Sequence, residues 1–312
     1  MRSHRRITGL TLGGGIGLLG RNYGLTCDRL VGAQVVLPNG SVVDCNHDHE
    51  PDLFWALRGS GGGQFGVVTS LRFDTVPEPM TSRIEARWPD IALEELVSAW
   101  QAWAPDAPDE LTVNLTLTSD PGAPIRATLF GAATLEEGPT RELLREFIDR
   151  AGVAPTVELR TGLPFHHLKS TFADPRDDRA VRIRSEFFSR AMSDRTLASL
   201  LTQLGDPRTI GRRQLAFTAM GGAYNRVTED ATAFAHRSER FLLEHIADAA
   251  DPWVDRSWVT AHADGSGRVY PNFPDPALDD WAAAYHAGNY PRLAAVKHAC
   301  DPHRFFDFPQ AV

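Results

Sequence analysis

The sequence predicts an α+β fold, with antiparallel strands covered on one face by helices. Three observations carry this. Ile84, Ala86 and Trp88 alternate with Arg83, Glu85 and Arg87, and Leu111, Val113, Leu115 and Leu117 alternate with Thr112, Asn114, Thr116 and Thr118, the period-two pattern of half-buried strands. Leu93, Leu96, Val97, Trp100 and Trp103, and later Leu143, Leu144, Phe147 and Ile148, fall at helical spacing. The remaining strand-like runs, Ile125 to Leu129, Val181 to Phe187 and Leu215 to Phe217, lack the regular intervening helices of a parallel βαβ array.

Taken in chain order, glycine first crowds two segments, Gly9 to Gly24 and Gly59 to Gly66. Missing Cβ atoms let backbone N–H groups approach a flat or phosphorylated ligand, or let a loop pack tightly on a strand; both readings stand at this point. Between the clusters, Gln34 to Leu37 and Ser41 to Val43 read as a hairpin joined by Pro38-Asn39-Gly40, residues that tolerate positive φ. A short helix from Asp52 to Gly59 follows Pro51, and Val67-Val68-Thr69-Ser70-Leu71-Arg72-Phe73 alternates as a strand. Pro77 and Pro79 mark a boundary. Beyond them Asp90 is placed to cap the first long helix, and residues 77–266 read as one α+β domain between an N-terminal segment, 1–76, and a tail, 267–312. The tail holds two short helices broken at Gly288-Asn289 and restarted with Pro291 in a first turn; Leu278, Trp281 and Tyr285 line one and Leu293 and Val296 the other.

Composition narrows the function. With 312 residues, 42% of them apolar and 23% charged, the chain suits one or two globular domains. Forty acidic against 32 basic residues leave a net charge of −8, which offers no electrostatic footprint for nucleic acid. No stretch approaches the roughly 20 apolar residues of a membrane helix, and the opening Met-Arg-Ser-His-Arg-Arg lacks the apolar run of an export signal. Cys27, Cys45 and Cys300 contain no CxxC pair, so neither a disulfide framework nor a zinc site is expected, and a reducing, cytoplasmic location fits them.

Gly15-Ile16-Gly17-Leu18-Leu19-Gly20 satisfies the G-x-G-x-x-G string, but Arg5 and Arg6 interrupt any preceding strand and no acidic residue lies near the offset a nicotinamide fold requires. His47-Asp48-His49-Glu50 reads as a solvated turn, since no second ligand cluster accompanies it. His166-His167 reads equally as pocket lining or surface pair, and His236-Arg237 as structural or ligand-contacting. No G-x-S-x-G elbow occurs.

The combination of motifs is more specific than either glycine cluster. Residues 9–44 and 52–73 closely resemble the second half of the flavin-binding domain of the berberine-bridge-enzyme-like oxidoreductases, within the vanillyl-alcohol-oxidase superfamily. Residues 269–310 look like the same family's C-terminal segment, which returns to complete the flavin domain. The fold expected from this resemblance is the C-terminal half of a PCMH-type FAD-binding domain plus an α+β substrate domain, with FAD extended between them and the antiparallel sheet roofing the flavin ring. The activity it implies is oxidation of a small organic substrate by hydride transfer to flavin, with O₂ as acceptor. It further implies that Gly13, Gly14, Gly15 and Gly17, with Tyr23, Gly24 and Asp28, pack near the cofactor. Gly63, Phe65, Gly66 and Val67 would approach it through main chain, and Tyr270 and Asn272 would reach the ring.

The family's Arg-Ser-Gly-Gly-His-type loop, which holds pyrophosphate and supplies a flavin-linking histidine, has no counterpart here; Arg2-Ser3-His4 is a partial echo, and Cys27 and Cys45 do not match the family's second linking residue. The sequence is therefore expected to begin partway through the flavin domain. Phe273 replaces the tyrosine that serves many members as catalytic base, and phenylalanine accepts no proton. Tyr270, Glu158 and Glu186 are the candidates for that role. The rival readings are a non-catalytic remnant or binding module with an incomplete FAD site, and a dinucleotide-dependent dehydrogenase.

Overall fold

The computed structural model describes residues 7–88, 91–172 and 180–312. Arg2-Ser3-His4, Arg5, Arg6 and the Asp90 cap lie outside them. The chain divides into two compact units, one of residues 1–76, 223–238 and 268–312, the other of residues 77–222 and 239–267.

The first unit opens with helices α1 (Ile7–Leu12) and α2 (Gly20–Tyr23), then strands β1 (Leu30–Val36) and β2 (Val42–Cys45), helix α3 (Pro51–Ser60) and strand β3 (Val67–Phe73). The strands form an antiparallel sheet in the order β2-β1-β3. The β1–β2 turn works as its residues dictate: Gly40 takes φ +82°, and the Asn39 Oδ1 accepts the Ser41 N–H at 2.9 Å. Helix α3 presents Leu53, Phe54 and Leu57 to a core shared with Val35, Cys45, Phe65, Leu293 and Val296.

The second unit contains β4 (Met80–Trp88), α4 (Leu93–Trp103), β5 (Leu111–Ser119), β6 (Arg126–Ala133), α5 (Glu137–Ala151), β7 (Thr156–Pro164), α6 (Phe165–Thr171), β8 (Val181–Phe188), α7 (Asp194–Leu204), β9 (Arg213–Ala219), β10 (Phe241–Asp248) and α8 (Trp253–His262). Its strands pair antiparallel in the order β7-β4-β6-β5-β9-β10-β8. Residues directly opposite in such a register share a face. One face, with Ile84, Leu115, Leu129, Phe217 and Leu243, is buried under Leu96, Trp100, Phe147, Leu200 and Val254 of α4, α5, α7 and α8. The opposite face carries the polar members of the alternation.

One boundary differs from the sequence reading. Residues 223–238 cluster with the first unit rather than continuing a single 77–266 domain. Hydrogen bonds explain why: Trp55 Nε1 donates to the Asp230 carbonyl at 2.7 Å, Phe234 N–H to the Arg58 carbonyl at 3.1 Å, and Asn289 Nδ2 to the Glu229 carbonyl at 2.7 Å. Such pairings leave no pattern in local sequence.

The tail forms α9 (Trp281–His286) and α10 (Tyr290–Cys300), with Pro291 in the first turn of the latter. Lys297 of α10 is buried, and its Nζ donates to the Asp301 carboxylate at 2.8 Å, the Gln64 carbonyl at 2.6 Å and the Phe306 carbonyl at 2.8 Å. Asp301 in turn accepts the Phe305 and Phe306 N–H groups at 2.7 and 2.9 Å. One ammonium thus ties the tail to the second glycine segment. Removing one partner of a buried pair strands the other charge, so Lys297→Met is expected to lose about 3–5 kcal/mol in chemical denaturation. A loss under about 1 kcal/mol contradicts this role, since that is the range of an exposed pair.

Candidate functional site

The glycine turn after α1 is held from two directions. Gly15 N–H and Ile16 N–H both donate to the Tyr270 hydroxyl, at 3.2 and 3.1 Å, while Gly17 N–H donates to the Tyr224 hydroxyl at 3.0 Å and the same hydroxyl donates to the Gly17 carbonyl at 2.7 Å. The close approaches that glycine permits here are filled by side chains of this chain. A Cβ on Gly13 would overlap the Asn272 carboxamide, and one on Gly14, at φ +110°, would lie 2.6 Å from the Phe234 ring. The tight-packing reading thus describes most of the cluster, because the main-chain donors expected to meet a phosphate are already satisfied.

The other predicted residues sort the same way. Gly24 sits over Asp28, whose carboxylate accepts Leu25 N–H at 2.8 Å and pairs with buried Arg237 at 2.6 Å. Arg237 also donates to the Phe234 carbonyl and Thr232 Oγ1 at 3.2 and 2.8 Å, so Arg237 holds its loop together. Tyr23 offers its carbonyl to Arg29 Nε at 3.2 Å. Phe65 is core, Gly66 packs on Val35 and the Val36 carbonyl, Val67 is exposed at the start of β3, and Gly63 lies within van der Waals reach of Phe308. His47 is exposed beside Asp48, His166 meets Glu78 at the surface, and among the described residues no metal-ligand cluster exists.

Gly13 and Asn272 do share a cavity. It measures about 500 Å³, within the range of small-molecule sites, and its lining adds Gly62 of the second glycine cluster and Ser60, Gln64, His286 and Gln310, which the sequence did not single out. Burial depresses the His286 imidazole to about 4, so it is neutral at pH 7; its Nδ1 lies 3.4 Å from Ser60 Oγ. Asn272 Nδ2 donates to the Tyr270 hydroxyl and the Leu10 carbonyl, both at 2.9 Å, and its Oδ1 lies against Gly13. A Cβ on Gly62 would meet no atom within 4 Å, so this residue leaves the rim open. Among the described residues no ionised side chain lines this space. Its neutral amides and apolar walls match the polar edge and flat faces of a heteroaromatic ring such as the isoalloxazine of FAD, and they lack the cations a pyrophosphate needs.

The three proposed bases separate clearly. Tyr270 is buried, and loss of water raises its phenol despite the hydrogen bonds it accepts, so it stays protonated at neutral pH. Glu186 pairs in register with Leu243 and therefore points into the helix layer, where it accepts His262 Nδ1 at 2.8 Å and Gly267 N–H at 2.9 Å; burial raises its carboxyl. Glu158 lies on the polar face but on edge strand β7, engaged by Arg160 Nε at 2.6 Å. The sequence reading missed Glu244, one residue along from the Glu186 register on β10. It shares the polar face with Ser185, Ala216 and Thr116, and burial alone pushes its carboxyl up to about 7. The signal was available only as parity: Leu243 inward puts Glu244 outward.

Comparison with known proteins agrees with this architecture. The Berberine and berberine like family matches residues 269–312. The FAD-linked oxidoreductase YgaK of Bacillus subtilis is 31% identical over 98% of this chain and 70% of its own length. Chitooligosaccharide oxidase of Gibberella zeae is 28% identical over 97% and 67%. Among solved structures, Physcomitrella patens BBE-like 1 superposes with a TM-score of 0.86 at 23% identity, covering 98% of this chain and 70% of that one. The xylooligosaccharide oxidase from Myceliophthora thermophila, solved with xylobiose, gives 0.83 at 25% identity, covering 97% and 70%. This chain therefore belongs to the berberine-bridge-enzyme-like family of FAD-linked oxidoreductases.

Proposed function

We propose that the chain oxidises a small organic substrate, that the flavin ring is seated in the cavity of the first unit, and that Glu244 is the proton-accepting group of the second unit. The observation that carries this reading is the charge-free cavity shared by Gly13 and Asn272. When bound, FAD supplies a two-electron acceptor for hydride from a substrate C–H bond and is returned to its oxidised form by O₂.

Each residue then has a defined task. Asn272 and Gln310 offer amide oxygens, and Gln64 its amide nitrogen, to the polar edge of the ring. Ser60 and neutral His286 add hydrogen bonds without adding charge. Tyr270 fixes Asn272 and the glycine turn together and transfers no proton. Glu244, whose carboxyl burial pushes up to about 7, is raised toward neutral pH, where a general base works best.

Filling the cavity tests the cofactor half of this reading. Gly62→Leu places a side chain in open space, so the fold read by circular dichroism should persist while flavin retained after incubation with FAD, read by absorbance, falls about tenfold or more, some 1.4 kcal/mol of binding. Undiminished flavin in that variant removes the cavity from the cofactor site. The base is tested without substrate. Carbon-13 NMR of labelled glutamate should show one carboxyl titrating near pH ~7, protonated below and ionised above, that disappears in Glu244→Gln. A wild-type spectrum with every glutamate titrating near pH ~4.3 contradicts the assignment.

A further inference from the structure

We propose that the tail makes Gln64 a fixed hydrogen-bond donor and Gln310 a fixed acceptor, so that the cavity of the first unit selects a ligand edge on which a carbonyl stands beside an N–H. This rests on the proposed function above and names the part of the ring that is read, the imide edge of an oxidised isoalloxazine.

A carboxamide left to itself is an ambiguous reader. Its oxygen accepts, its NH₂ donates, and a half-turn about the last side-chain bond exchanges the two, so a free glutamine matches either polarity of ligand. Neither glutamine here has that freedom. Gln64 Oε1 accepts Val312 N–H at 3.0 Å, and Val312 is buried. Turning the amide over would set its NH₂ against that N–H and leave a buried donor unpaired. The main chain is held as well, since the Gln64 carbonyl accepts Lys297 Nζ at 2.6 Å. Gln310 is held with the opposite polarity: its Nε2 donates to the Asp275 carbonyl at 2.8 Å and to the Leu278 carbonyl at 3.4 Å. A turned Gln310 would present oxygen to both carbonyl oxygens.

What remains is one group of each kind. Gln64 Nε2 and Gln310 Oε1 have no partner among the described residues, and both side chains line the cavity. They belong to one wall, because Val312, which holds Gln64, follows Gln310 by two residues. Gln310 is strained into this placement. Its φ of +67° lies in the left-handed region that residues with a side chain seldom enter. Such a conformation persists only where surrounding contacts impose it, and here the bonds from its own amide do so.

An oxidised isoalloxazine has a single ring N–H, set between two carbonyls, so a donor and an acceptor standing side by side find their complement there in either order. Alkylating that nitrogen keeps the carbonyls and leaves Gln310 facing a methyl group. Sites built to hydrogen-bond an N–H reject analogues that lack it, because the site's own polar group is then stranded. A purine amine edge, with an N–H beside a ring nitrogen, is the rival occupant.

The experiment is titration of the purified full chain with riboflavin, 3-methylriboflavin and AMP, followed by calorimetry and flavin fluorescence and repeated in Gln310→Met and Gln64→Glu. Riboflavin is expected to bind at least about tenfold more tightly than its methylated analogue. Gln310→Met should bring the two to equal affinity by weakening riboflavin alone. Gln64→Glu keeps an oxygen for Val312 N–H and replaces the donor by a second acceptor, so riboflavin should weaken about tenfold or more while the preference over the methylated analogue persists. Equal affinity of the native chain for the two flavins overturns the proposal with no variant needed. A preference undiminished in Gln310→Met, or riboflavin binding unweakened in Gln64→Glu, overturns it too. AMP bound more tightly than riboflavin does the same, because the pair then reads a purine. Flavins bound without preference defeat this proposal and leave the cofactor cavity standing; a chain that binds neither flavin defeats the proposed function along with it.

Discussion

The architecture of the first unit depends on two tyrosine hydroxyls reaching a turn that has no side chains to keep them away. Tyr270 and Tyr224 lie more than 200 residues downstream of Gly15 and Gly17, yet they satisfy three consecutive main-chain donors. A buried N–H left unpaired costs about 1–3 kcal/mol, so the turn is stable only when both return segments are in place. Phe234 under Gly14 and Asn272 against Gly13 complete the enclosure. The buried Arg237–Asp28 pair then fixes the loop that delivers Tyr224 and Phe234. The cavity shared by Gly13 and Asn272 is what remains open beside this clamp.

In the second unit the controlling constraint is strand parity. Successive side chains alternate faces, so a single register decides that Leu243, Phe217 and Leu115 meet helices while Glu244, Ala216 and Thr116 do not. Glu186 illustrates the consequence. It has the residue type and the raised carboxyl of a base, but its place beside Leu243 commits it to His262 and the helix layer. Environment therefore separates two neighbouring carboxyls: Glu186 anchors α8 to the sheet, and Glu244 lies on the opposite face, where burial raises its carboxyl.

Much of this was legible in the sequence. Period-two alternation located β4 and β5, helical spacing located α4 and α5, and Pro38-Asn39-Gly40 located the first hairpin, because each of those signals is local. The motifs at the two ends identified the family for the same reason. Glycine proved ambiguous, since a missing Cβ records that something comes close and not whether it is a ligand or a neighbouring ring. Phe234 and Tyr224 sit in residues 223–238, whose membership of the first unit depends on long-range bonds such as Trp55 to Asp230. Ser60, Gln64, His286 and Gln310 are ordinary residues by type and come together only when folding brings five segments around one cavity. Glu244 needed the register of β10, which begins only three residues after that displaced segment.

The clamp on the glycine turn is most directly tested by amide hydrogen exchange. If Tyr270 is the acceptor for Gly15 and Ile16, both amides should exchange slowly in the native chain and quickly in Tyr270→Phe, while the Gly17 amide, held by Tyr224, stays slow in both. Fast exchange of Gly15 and Ile16 in the native chain, or exchange unaltered by the substitution, would contradict the account at its root.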